Sequence, residues 1–129
     1  MKTCILLALC LLISLPAAAA TANFQGNCDT GIPTKCVFDP NRTPSGQTGT
    51  SCMGSSISQY FLDFGDGTSG FYSYPILQTW IYHTYTSAIS TDICLTVFCT
   101  DGTHATTCHC FSNVIGVGGC IRPGAGWTP

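Results

Sequence analysis

Glutamate is missing from this chain, and charge of either sign is scarce: four Lys and Arg together and six acidic residues, all Asp, in 129 residues. A chain so poor in cations has no basic stripe for a phosphate backbone or an anionic lipid surface. Nucleic acid and anionic membrane surfaces are therefore set aside as partners, and membrane insertion is not expected because no second long apolar stretch follows the one at the start. The enzymes that leave local signatures are equally unsupported. There is no Gly-x-Ser-x-Gly elbow, no Ser beside a plausible base, and no Glu to join an Asp in a carboxylate pair across a cleft. No segment of useful length has helical period, and no internal repeat occurs. A non-catalytic protein without a cofactor is the expectation.

One long apolar run exists, and it opens the chain. Lys2 precedes Ile5 to Leu15, and Pro16 leads into alanines. The run is short of the ~20 residues that span a bilayer, and the small residues after it fit a secretory signal peptide over residues 1–22. Ala20-Thr21-Ala22 fits cleavage before Asn23, and Ala18-Ala19-Ala20 fits cleavage before Thr21. Removing 22 or 20 of the 129 residues leaves 107 or 109, enough for one modest core. A secreted location follows, or the periplasm or cell surface in a bacterium.

Cysteine is plentiful. Cys4 and Cys10 belong to the leader, leaving Cys28, Cys36, Cys52, Cys94, Cys99, Cys108, Cys110 and Cys120. Eight in a short secreted chain predict four disulfides, and the 105 possible pairings stay open. Cys108-His109-Cys110, with His104 and Cys99 nearby, imitates a zinc cluster, but its C-x-C spacing is tighter than structural zinc sites use. Asn41-Arg42-Thr43 is a glycosylation sequon with Pro44 directly after it.

The rest of the chain is organised around Tyr60-Phe61-Leu62-Asp63-Phe64-Gly65-Asp66-Gly67, a strand driven into a tight turn. His83-Thr84-Tyr85 follows, then the alternating Asp92-Ile93-Cys94-Leu95-Thr96-Val97, then Asp101-Gly102. This ordered series resembles the PKD (polycystic kidney disease) domain, with Leu62 where that family usually has Trp, and Ile89 and Thr91 where it has Gly and Tyr. The resemblance runs from about Thr34 to Phe111. It implies an all-β, immunoglobulin-like sandwich of about seven strands, with His83 packing at a sandwich edge.

Residues 23–33 read as a loop-like N-terminal segment tethered by Cys28, residues 34–112 as the domain, and residues 113–129 as a Gly-rich tail tied by Cys120. Strands are predicted at 35–39, 57–64 and 76–85, with a short edge strand within 68–75. Cys52 is expected to pin the long polar stretch from Arg42 to Ser56. In the last hairpin, Ile93, Leu95, Val97 and Cys99 share one face. A two-residue Asp101-Gly102 turn would set Leu95 against Cys108 and Ile93 against Cys110, with both later cysteines in the core; a slip of one residue reverses that.

Two features are candidate sites. Asp63 and Asp66 flank the turn, where carboxylates bond backbone N–H groups; a calcium site is the alternative reading of the same pair. The second is aromatic. Tyr60, Phe71, Tyr72, Tyr74, Trp80, Tyr82 and Trp127 outnumber what a small core holds, and aromatic faces stack on sugars and anchor protein interfaces. Tyr72, Tyr74, Trp80, Tyr82 and Trp127 are the binding candidates. The functional expectation is an adhesion or binding module for extracellular polysaccharide or surface protein. Self-association as a filament or surface-layer subunit is the alternative, and a cysteine-rich effector or inhibitor the second.

Overall fold

Alternation decides the architecture. Along Ile93, Leu95, Val97 and Cys99 every second side chain is buried, while Asp92, Cys94, Thr96 and Phe98 point the other way. Such a strand must lay one face against a second sheet. The computed structural model describes residues 19–40, 49–74 and 80–113. Among them are the strands β1 (Ala20–Thr21), β2 (Gln25–Cys28), β3 (Thr34–Asp39), β4 (Ser51–Cys52) and β5 (Ile57–Asp63). They continue with β6 (Ser69–Ser73), β7 (Ile81–Tyr85), β8 (Ser90–Cys99) and β9 (His104–Ser112).

Seven of these form two antiparallel sheets, β2-β3-β7 and β6-β5-β8-β9, and β1 pairs with β4 as a small ribbon. The inner faces meet over Phe24, Phe38, Tyr60, Leu62, Ile93, Leu95, Val97 and Phe111, each at most 1% exposed. Burying side chains of this size contributes about 1.5–3 kcal/mol apiece. Rings cross between the sheets. Phe38 meets Phe64 at 5.9 Å, and Tyr85 stacks on Phe111 at 5.0 Å.

The structure corrects three sequence expectations. Residues 25–28 are not a loop: Gln25 to Cys28 pair with Asp39 to Cys36, and Cys28 bonds directly across to Cys36. Tyr60 is fully buried. It shares the inward parity of Leu62 and Phe64, and a bulge between Ile57 and Gln59 turns Gln59 outward so that this parity holds. Third, the last hairpin is one residue out of the expected register: Cys94 faces Cys108, Ile93 faces His109 and Asp92 faces Cys110.

The loop explains the shift. Gly102 N–H donates to the Cys99 carbonyl, Cys99 N–H donates to the Thr103 carbonyl, and Gly102 has φ +84°. Thr100, Asp101 and Gly102 are thus a three-residue connection closed by a left-handed glycine. Asp101 fixes it by accepting from Thr103 N–H at 2.9 Å and from its hydroxyl at 2.7 Å. Cys108 and Cys110 consequently leave the core for the outer face, where Cys94–Cys108 is a disulfide with Cα atoms 4.1 Å apart.

Cys52 pins its polar stretch as expected, through a bond to Cys99. Cys110 is also disulfide-bonded, to a partner outside the described residues. Of the signal-peptide reading for residues 1–22, residues 1–18 lie outside the described residues, while Ala20 and Thr21 are the strand β1 paired with β4. Asn41 and the tail with Cys120 and Trp127 also lie outside the described residues. So do residues 76–79 of the stretch expected as strand 76–85, of which 81–85 is strand.

Candidate functional site

The Gly-Asp-Gly turn is held by its own carboxylates. Gly65 N–H donates to Asp63 Oδ1 at 2.9 Å, and Thr68 N–H and hydroxyl donate to Asp66 Oδ1 at 3.0 and 2.6 Å. The other Asp66 oxygen meets His83 Nε2 at 2.8 Å. Burial works to raise the Asp66 pKa, and the hydrogen bonds from Thr68 and His83 outweigh it, leaving the group below the ordinary carboxylate range. His83 lies flat on Phe64 at 4.0 Å, and the Tyr85 hydroxyl donates to the Phe64 carbonyl at 2.9 Å. Burial, then the charges of Asp66 and Asp63, push the Tyr85 phenol upward.

Gly65 cannot be replaced here. Its φ is +75°, and a Cβ would run into the Asp92 carbonyl and the Thr91 side chain. The turn therefore clamps the end of one sheet to the other. Among the described residues, no group of three or more His, Cys, Asp or Glu is arranged to hold a metal ion.

The expected binding aromatics separate into different environments. Tyr72 is half-buried, its hydroxyl raised by burial, and its ring folds back over Gly70 on the same strand. Tyr74 is 47% exposed and meets the Tyr60 ring edge-on at 6.3 Å. Burial first, then the charges of Tyr74 and Asp39, push the Tyr60 hydroxyl up to about 12. Trp80 is 45% exposed beside β7, and Tyr82 is 69% exposed on the outside of the three-stranded sheet, where it faces Val37.

What the structure does assemble is a strip that the sequence reading touched only at Phe71. The strand pairings place the outward residues of the four-stranded sheet in rows. Phe71, Phe61, Thr96 and Thr106 make one row; Ser73, Gln59, Phe98 and His104 make the next. Phe71 touches Phe61 with centroids 4.7 Å apart, Phe98 lies 6.5 Å from Phe71, and His104 6.1 Å from Phe98. One run of rings thus slopes across all four strands. Thr96 and Thr106 share a hydrogen bond at 2.8 Å beside it. Beyond them lie the Cys94–Cys108 disulfide and two acids, Asp63 and Asp92.

Phe61 and Phe98 had a readable signal: both occupy outward parity in strands whose inward parity is fully apolar. The parity of β8 already sets Phe98 on the face opposite Ile93 to Cys99, but neither it nor Phe61 is counted among the surplus aromatics.

No family model matches the chain, and no curated protein matches it by sequence. Solved structures do resemble it. The PKD1 domain of the Vibrio cholerae metalloprotease PrtV is 21% identical, with 73% of this chain and 95% of that domain covered at a TM-score of 0.52. The PKD1 domain of Vibrio anguillarum Epp is 20% identical, covering 73% and 92% at a TM-score of 0.50. The chain has a PKD-like fold, an immunoglobulin-like sandwich stapled by disulfides. Seven cysteines in disulfides also fit an oxidising, extracytoplasmic setting.

Proposed function

We propose that this protein is a secreted, non-catalytic binding module for extracellular polysaccharide or surface protein, and that it binds through the outer face of β6-β5-β8-β9. The observation that carries the reading is the outward strip of Phe71, Phe61, Phe98 and His104, in which Phe71 and His104 are exposed and Phe61 and Phe98 half-buried. A folded domain gains little by leaving Phe71 65% exposed on a sheet face. Apolar rings in a continuous patch mark contact surfaces, and aromatic anchors dominate binding energy where they are covered. The leader-like start of the chain and the disulfides support secretion.

The test is a glycan array and a pull-down on extracellular wall material, comparing the oxidised wild type with a Phe71→Ala/Phe98→Ala double variant. Retention that the double variant loses supports the reading. Equal retention of both proteins, or none, counts against it.

A further inference from the structure

We infer that the strip takes a single neutral polysaccharide chain lying across the strands, and not an anionic polymer or a flat crystalline face. The inference rests on the binding reading above and names the ligand more closely.

Charge is the first argument. The outer face of β6-β5-β8-β9 carries no Lys or Arg among the described residues, and its acids lie at one end, Asp63 in the row of the disulfide and Asp92 one row beyond it. Polymers bearing uronate, sulfate or phosphate would meet no Lys or Arg of the described residues and two like charges. A neutral sugar meets none of that opposition. Its C–H face stacks on an aromatic ring, and its hydroxyls need donors and acceptors alongside. Both are present: each aromatic pair shares its row with a polar pair, Phe71 and Phe61 with Thr96 and Thr106, Phe98 and His104 with Ser73 and Gln59.

Shape is the second argument. Neighbouring strands lie about 4.8 Å apart, so the strip is roughly 14 Å long from β6 to β9. A ring on each strand suits a chain of a few pyranose units, one unit to a rung. The rings are not coplanar, however. Phe61 is inclined 46° to Phe71, Phe71 32° to Phe98, and Phe98 34° to His104. Sheet twist of about 20–25° per strand builds such inclination in. A rigid planar surface touches one or two of these rings at a time. A lone chain rotates from unit to unit and meets each in turn.

Native affinity electrophoresis of the oxidised protein tests this, in gels containing mixed-linkage β-glucan, laminarin, galactomannan or alginate. Depletion on crystalline cellulose and chitin runs beside it. Phe71→Ala and Phe98→Ala are compared with Tyr82→Ala, after urea midpoints confirm that each is folded. Expected are retardation in at least one neutral gel, none in alginate, an apparent Kd raised about tenfold by either Phe substitution, and less than twofold by Tyr82→Ala. Retardation by alginate alone, or depletion on the crystalline solids alone, overturns the inference; if the Phe variants abolish that binding, the binding face itself stands. Retardation that ignores the Phe substitutions, or no binding at all, overturns both. A dimer in light scattering that Phe98→Ala dissolves, without retardation in any gel, assigns the strip to a second copy and also overturns it.

Discussion

The two sheets obey one rule on the inside and differ on the outside. Each buries alternate apolar residues against the other, yet outside, the three-stranded sheet sets Tyr82 among polar and aliphatic residues whereas the four-stranded sheet carries a run of rings. On the small sheet Asn27, Val37 and Tyr82 form the central outer row, with Lys35 and Thr84 next to it. Their cross-strand staples differ in the same sense. Cys28–Cys36 and Cys94–Cys108 both join directly opposed residues with Cα atoms 4.1 Å apart. The first is buried at 4% and 2% exposure, whereas Cys108 is exposed. Inward faces report on folding and are alike. The outward faces are where function can distinguish them.

The largest effect expected from this contrast is chemical. Under native conditions a thiolate reaches an exposed disulfide directly but must wait for opening to reach a buried one. Mild reductant should therefore open Cys94–Cys108 on the order of a hundredfold faster than Cys28–Cys36, as read by timed alkylation and peptide mass. Equal rates would break the contrast. Next comes binding itself, where Phe98→Ala should weaken retention about tenfold and Tyr82→Ala less than twofold.

The link between the sheets sharpens the picture further. Tyr85→Phe removes the donor to the Phe64 carbonyl, and a loss of about 1–3 kcal/mol in urea denaturation is expected. Smallest is Asp66→Asn, which at neutral pH should cost less than about 1 kcal/mol because the group is close to solvent. Its pKa is held down in the folded protein, so its contribution is present at neutral pH and lost as the pH falls through and below the ordinary carboxylate range. Stability of the wild type should drop on that acid limb, and the Asn variant should show a shallower drop.

Much of the fold was legible because it depends on parity and turn chemistry. Phe64-Gly65-Asp66-Gly67 has only a few ways to turn, and the alternation from Ile93 to Cys99 has only one face to bury. The hairpin register was harder. Asp101-Gly102 serves both a two-residue turn and the last two positions of a three-residue loop, and the choice moves every partner by one. Thr103, whose N–H and hydroxyl both bond Asp101, is what settles it. The strip was hidden for a related reason: Phe61 and Phe98 are far apart in sequence, and only the pairings through β5 and β8 place them side by side. Tyr60 misled because size alone does not say which way a side chain points.

The account's central claim is that ligand lies on the outer face of the four-stranded sheet. Hydroxyl-radical footprinting with mass spectrometry tests it most directly, on protein saturated with whichever polysaccharide or surface protein retains it. The account predicts protection of Phe61, Phe71 and Phe98 with Tyr82 labelled as in the free protein. Protection of Tyr82 with the three phenylalanines unchanged would contradict it.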